Sequence, residues 1–295
     1  MVIHGPSTDT ILRRFSCRTY VDEPLPEAER RTIEEAAASL STGPLGTRVR
    51  FRLVTAAEND RDSLKGLGTY GFIRGARSFI VGAVSPGAKD MEDYGCALES
   101  LVLLATDLGL GTCWLGGTFH RSSFARKIEA APEEKVPAVT PVGRMADPSR
   151  ARDTFIRRQI RADSRFPWER LFFDGRFGTP LAREEAGDFA TALEMVRRGP
   201  SASNRQPWRV IRHGGAWHFF LVRSPGYRTA LAARLLALPD LQRVDMGIAM
   251  CHFALACRER GLPGGWEISD PALGTPDWRA EYTASWITLG AGGIA

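Results

Sequence analysis

The chain has 295 residues, 43% hydrophobic and 25% charged, the proportions of an ordinary globular protein with room for two domains or one large one. Its 39 Lys and Arg against 34 Asp and Glu leave a formal charge of +5, a modest surplus that suits an anionic small molecule and argues against nucleic acid. The start, MVIHGPSTDT, lacks the basic-then-apolar pattern of a secretory signal, and the longest apolar run, around Leu101–Gly117, is broken by Asp107. No membrane span and a cytoplasmic location are therefore expected, and the five widely spaced cysteines read as free thiols in a reducing compartment.

In chain order, ILRRFSCRTY (11–20) comes first. In an extended backbone Arg14, Ser16 and Arg18 face the same way, two guanidinium forks and a hydroxyl that suit a phosphate or a polarised carbonyl. A solvated basic strand is the plainer alternative, and spacing alone leaves both open. An amphipathic helix follows over 25–40, then a strand at 51–54. Gly66–Gly71 matches G-x-G-x-x-G, but it follows polar residues and leads into the strand 78–84, so it reads as a loop. A helix over 97–108 is apolar on nearly all sides, and VTPVG (139–143) closes this part as a strand.

The stretch 161–180 is rich in aromatics, Arg, Gly and Pro and reads as a connector packed along the body. Beyond it come a helix over 181–196, the run GPSASNRQPWRV (199–210), strands at 208–211 and 218–222, an apolar helix over 245–257 and a strand at 286–290. The run 199–210 carries more hydrogen-bonding groups beside exposed backbone than a helix-to-strand turn needs. The five histidines show no metal spacing with the cysteines, so no metal site is expected, and His252 reads as a core or interface residue.

The chain repeats itself once. DYGCALESLVLLATDLGLGTCW (93–114) and DMGIAMCHFALACRERGLPGGW (245–266) share Asp, Gly, Ala, Gly, Leu and Trp without a gap, at a separation of 245 − 93 = 152 residues. Each half reads helix, strand, strand, long helix, final strand. Two equivalent, fully buried helices point to a twofold-like interface within one chain, the fused counterpart of a symmetric dimer. Residues 1–165, with a connector to about 180, are expected to form the first lobe and 166–295 the second. The halves differ where polar motifs sit: STGPLGTRVRF replaces the second half's PSASNRQPW, and FFDGRFGTPLA replaces the first half's RFSCRTY. One composite site retained out of two would leave this pattern.

Together, RFSCRTY, PSASNRQPW, LGLGTCWLGG and the PVG strand resemble the nitroreductase family of flavin-dependent oxidoreductases, and the likeness spans nearly the whole chain. The resemblance implies an α+β nitroreductase-like fold with two pseudo-twofold-related lobes around central buried helices. It implies FMN between the lobes, with hydride passing from NADH or NADPH through the flavin to a small nitroaromatic or quinone-like acceptor. A flavin store without enzyme activity, or a dehydrogenase or dehalogenase on the same fold, are the other activities considered. Carried over, Arg14 and Ser16 would hold phosphate and Arg18 would sit beside the flavin N1/O2 edge. Pro200, Ser201, Ala202 and Asn204 would come from the other lobe with Gln206 behind them, and Leu115, Gly116 and Gly117 would lie near N5. Arg157 and Arg158 would complete the phosphate site. No side chain is expected to act as catalytic acid or base, and the chain is expected to work as a monomeric pseudo-dimer on a small-molecule substrate.

Overall fold

The computed structural model describes residues 5–55, 73–117, 119–146, 164–227, 239–274 and 280–289. The Gly66–Gly71 loop and Arg157 and Arg158 lie outside the described residues.

Chain entry is helical. Helix α1 (Ser7–Arg13) follows Pro6, with Asp9 in its first turn and Arg13 in its last, an arrangement that complements the helix dipole. Helix α2 (Glu27–Ser39) starts after Pro26 and buries Ile33 and Ala37, which lie one turn apart on the same face. Strands β1 (Val49–Thr55) and β2 (Ser78–Val84) then pair antiparallel from Val49 opposite Val84 to Thr55 opposite Ser78. All seven residues of β2 are buried, as its apolar run SFIVGAV demands. The long helix α3 (Asp90–Asp107) leads to a short edge strand β3 (Gly111–Thr112), helix α4 (Arg121–Lys127) and strand β4 (Val139–Gly143). Their sheet has the order β1-β2-β4-β3.

The second half repeats that order. Strands β6 (Trp208–His213), β7 (Ala216–Val222), β8 (Gly264–Glu267) and β9 (Ala280–Thr288) are arranged β6-β7-β9-β8, with helix α5 (Ala190–Arg198) before β6 and the long helix α6 (Leu241–Glu259) after β7. The connector adds one strand, β5 (Phe172–Asp174), parallel to β6, and buries Trp168 in the second core. Its aromatics therefore pack against the body. The helix expected over 181–196 is shorter: 183–186 form turns, Gly187 takes a left-handed φ of 55°, and regular α-helix begins only at Ala190. Pro180 and the left-handed glycine both interrupt the ladder. The long helices run the other way, starting earlier than their apolar stretches because polar first turns, Asp90 to Asp93 and Gln242 to Arg243, are themselves helical.

The two long helices cross backbone against backbone. A Cβ on Gly95 would lie 2.2 Å from the Val244 carbonyl oxygen, and one on Gly247 would lie 2.0 Å from the Glu92 carbonyl oxygen. Gly247 is Gly95 moved by 152 residues, and Val244 is Glu92 moved by the same amount, so the two contacts are reciprocal. Each helix enters the core of the opposite half: Leu103 packs among Leu193, Val196 and Met246, and Val244 packs among Tyr94, Leu98 and Ala138. The aspartates of the repeat also match. Asp93 accepts the backbone N–H groups of Leu45 (2.7 Å) and Thr47 (2.8 Å), and Asp245 accepts that of Ala202 (2.9 and 3.1 Å). Asp93 holds the loop that enters β1, and Asp245 the loop that enters β6. Burial pushes both carboxyls above the usual range, against the pull of these N–H donors, and Asp245 is raised well above it.

No helix among the described residues is long and apolar enough to cross a membrane, and no disulfide links the five cysteines.

Two predictions follow from the crossing. Gly247→Ala must force the helices apart and is expected to destabilise by about 2–3 kcal/mol in chemical denaturation, whereas Gly274→Ala, with nothing within 4 Å of its Cβ, should stay within about 0.5 kcal/mol. For Asp245, the raised folded-state pKa means that its contribution is complete below the unfolded carboxylate value and is lost as pH rises through the folded value. Asp245→Asn keeps an acceptor for Ala202 and cannot ionise. Measured from pH 4 to 8, its stability should therefore gain steadily on the wild type, and a constant difference would contradict the assignment.

Candidate functional site

Helix α1 stops at Arg13, and the chain then runs extended along the β3 edge. Ser16 bridges Thr112 in parallel fashion, and Cys17 N–H donates to the Thr112 carbonyl at 2.8 Å. On the other side Arg74 N–H donates to the Arg18 carbonyl and Tyr20 N–H to the Arg74 carbonyl, both at 2.9 Å. The segment is fixed from both sides. Cys17 is fully buried, and Ser16 and Arg18 face a cleft.

The opposite wall of that cleft comes from far along the chain. Pro200, Ser201, Ala202 and Ser203 line it, with Asp245 and Ile248 of α6 beneath and Trp114 and Gly116 beside them. The enclosed volume is ≈ 130 Å³. Among the described residues that is space for a phosphate or a ring edge of a nucleotide. The 200–206 turn is conformationally costly: Ser203, Asn204 and Gln206 have φ of 51°, 54° and 49°. Left-handed backbone costs about 1–2 kcal/mol per non-glycine residue, least for Asn. Three anchors offset this cost. Asp245 holds Ala202, the Ser201 hydroxyl oxygen accepts the Gln206 N–H at 2.9 Å, and the Gln206 side-chain oxygen accepts the Phe166 N–H at 2.8 Å.

Of the residues expected at the site, Ser16, Arg18, Gly116, Pro200, Ser201 and Ala202 meet at this cleft. Others do not line it. Arg14 is the C-cap of α1, in a polyproline-like step out of the helix (φ −59°, ψ 131°), and it does not line the cleft with Ser16 and Arg18. Its Nε lies 3.9 Å from the buried Glu99 carboxylate. Asn204 and Gln206 turn toward the connector, where Asn204 Nδ2 donates to the Ser164 carbonyl at 3.1 Å. Leu115 pairs its backbone with Val139 and buries its side chain, and Gly117 is exposed with nothing within 4 Å of its Cβ position.

Three participants had no sequence signal of their own. Arg121 at the start of α4 reaches back, and its Nη2 donates to the Gly116 carbonyl, while burial lowers its pKa. Asp245 was legible only as part of the repeat. Glu99 joins three elements: its carboxylate accepts the Trp114 indole N–H at 2.7 Å, lies near Arg14, and sits 2.8 Å from His252 Nε2. His252 Nδ1 faces the Met195 carbonyl at 2.9 Å, so both ring nitrogens face oxygen. His252 is thus a buried interface residue, as its place on an apolar helix suggests.

Arg18 decides the chemistry of the cleft. Its Nη1 is buried and has no hydrogen-bond partner among the described residues. A guanidinium held so wants an anionic or carbonyl oxygen. Ser201, whose oxygen already accepts from Gln206, keeps its O–H to donate. The set fits an electron-rich oxygenated group such as the phosphate or pyrimidine edge of a flavin nucleotide.

Comparison with known proteins gives the family of the chain. The family model described as "Putative TM nitroreductase" matches residues 7–257. Among solved structures, one described as a putative nitroreductase from Thermotoga maritima is 20% identical, with 96% of this chain and 94% of that chain covered at a TM-score of 0.60. An oxidoreductase containing FMN is 22% identical over 58% of this chain and 92% of its own (TM-score 0.46), and a putative nitroreductase in complex with FMN from Desulfovibrio desulfuricans is 25% identical over 49% and 88% (TM-score 0.39). No curated protein matches. The family match takes in the Ser16–Arg18 segment, the 200–206 turn and both crossing glycines, and on it the chain belongs to the nitroreductase family of oxidoreductases.

Proposed function

We propose that the cleft between Arg18 and the 200–203 turn holds FMN, and that the enzyme uses NADH or NADPH to reduce a small nitroaromatic or quinone-like acceptor. The observation that carries this reading is the meeting of two segments remote in sequence, with the buried Arg18 Nη1 left without a partner among the described residues. Bound FMN would supply a reversible two-electron acceptor for hydride. Arg18 would set a positive charge beside the cofactor's most electron-rich edge and so favour its reduced form, and the Ser16 and Ser201 hydroxyls would donate hydrogen bonds to its oxygens. The strained turn would hold Pro200 to Ser203 in place without rearrangement on binding. Asp245 lies beneath the turn and is committed to the Ala202 N–H, so no side chain is assigned as proton donor.

The proposal includes the origin of the frame. The ungapped repeat, the shared strand order and the reciprocal glycine contacts support two halves descended from one subunit, fused so that one chain builds a site that would otherwise need two. Each half then keeps only its part of a single site, and the chain acts as a monomer.

The test is direct. Purified protein incubated with FMN should retain a flavin absorption band and oxidise NADH or NADPH when a quinone or nitroaromatic is present. Arg18→Ala should bind FMN about 10- to 100-fold more weakly, the loss expected for a charged hydrogen bond. Flavin affinity unchanged by this substitution would overturn the assignment of the cleft.

A further inference from the structure

The 152-residue repeat pairs Glu99 with Cys251 and Trp114 with Trp266. In the first half the Trp114 indole N–H finds its acceptor in Glu99. In the second half the acceptor position has become a thiol, and the Trp266 Nε1 is buried with no partner among the described residues. The neighbouring Trp286, 6% exposed, has a buried and partnerless Nε1 as well, lying where a Cβ on Gly264 would come within 2.3 Å of it. Arg14, which fills the space beside Glu99 and Trp114 in the first half, has no counterpart in the second.

A cleft of ≈ 480 Å³ opens at this place. Cys96, Cys251, Leu262, Trp266 and Trp286 give it apolar and aromatic walls, and Arg258 is the one charged residue among its described lining. It is large enough for a two-ring ligand and is separate from the Arg18 cleft, with which it shares no described lining residue.

We propose that this cleft binds a flat aromatic carboxylate, whose carboxylate takes the role that the Glu99 side chain plays in the first half. The acid accepts from the Trp266 indole N–H, Arg258 balances its charge, and its rings fill the apolar space between the helices and the β8–β9 edge. The site is independent of flavin chemistry and goes beyond the activity proposed above.

The probe is 2-naphthoate, titrated into the full-length protein with tryptophan fluorescence and calorimetry as readouts, with and without FMN. One saturable site is expected, insensitive to FMN, weakened at least 10-fold when the neutral 2-naphthamide replaces the acid. Trp266→Phe, which keeps the ring and removes the N–H, should weaken binding several-fold, and Arg258→Ala about 10-fold, with FMN affinity unchanged in both. Four outcomes would overturn the proposal: no saturable binding, competition with FMN, equal binding of the amide, or wild-type affinity in both variants. Loss of FMN binding by the wild type would count against the flavin reading and leave this test unaffected.

Discussion

The close crossing of α3 and α6 is the constraint from which the other features follow. Two helices whose carbonyls approach within the radius of a methyl group must both carry glycine at the contact, and Gly95 and Gly247 meet that demand reciprocally. The crossing fixes the relative position of the two sheets, because each helix packs into the opposite core. It also fixes Asp93 and Asp245, two residues before each glycine, and through them the loops entering β1 and β6. The 200–203 turn thus reaches the Arg18 segment through a chain of contacts that starts at the helix axis.

On this repeated frame the two halves carry different chemistry. The first half surrounds its long helix with charge, as Glu99 collects Trp114, Arg14 and His252 in a buried network. At the matching place in the second half a cysteine, two indoles and open volume remain. Burying a charge requires that every lone pair and proton find a partner, and the N-terminal segment supplies such partners on one side only. The polar turn has the complementary asymmetry. The left-handed backbone of Ser203, Asn204 and Gln206 stands where Asp245, Ser201 and the connector hold it, whereas the 43–47 loop is held by Asp93 with its glycines.

How much of this was legible in the sequence depends on the kind of interaction. Continuous apolar runs such as SFIVGAV and VTPVG name their strands outright, because a two-sided buried strand has no choice of residue type. The repeat was legible because close helix packing tolerates only glycine at 95 and 247. Side-chain direction was harder. Arg14 shares its spacing with Ser16 and Arg18, yet it caps a helix, and its side chain lies beside Glu99. Asn204, expected at the cofactor with Gln206 behind it, is turned with Gln206 by the left-handed backbone toward Ser164 and Phe166. Glu99 and His252 meet across 153 residues, and Arg121 reaches back five residues to a backbone carbonyl, pairings that local patterns do not encode. The 181–196 segment was read by its amphipathic period, and the left-handed Gly187 overrode that period.

The central claim is that one chain builds one cofactor cleft from both of its halves. Flavin stoichiometry measured together with molar mass, by sedimentation with simultaneous detection of protein and flavin absorbance, tests it most directly. The account predicts one FMN per 32.4 kDa chain, carried by the monomer. Two flavins on each chain, or flavin found only on a dimer, would contradict it.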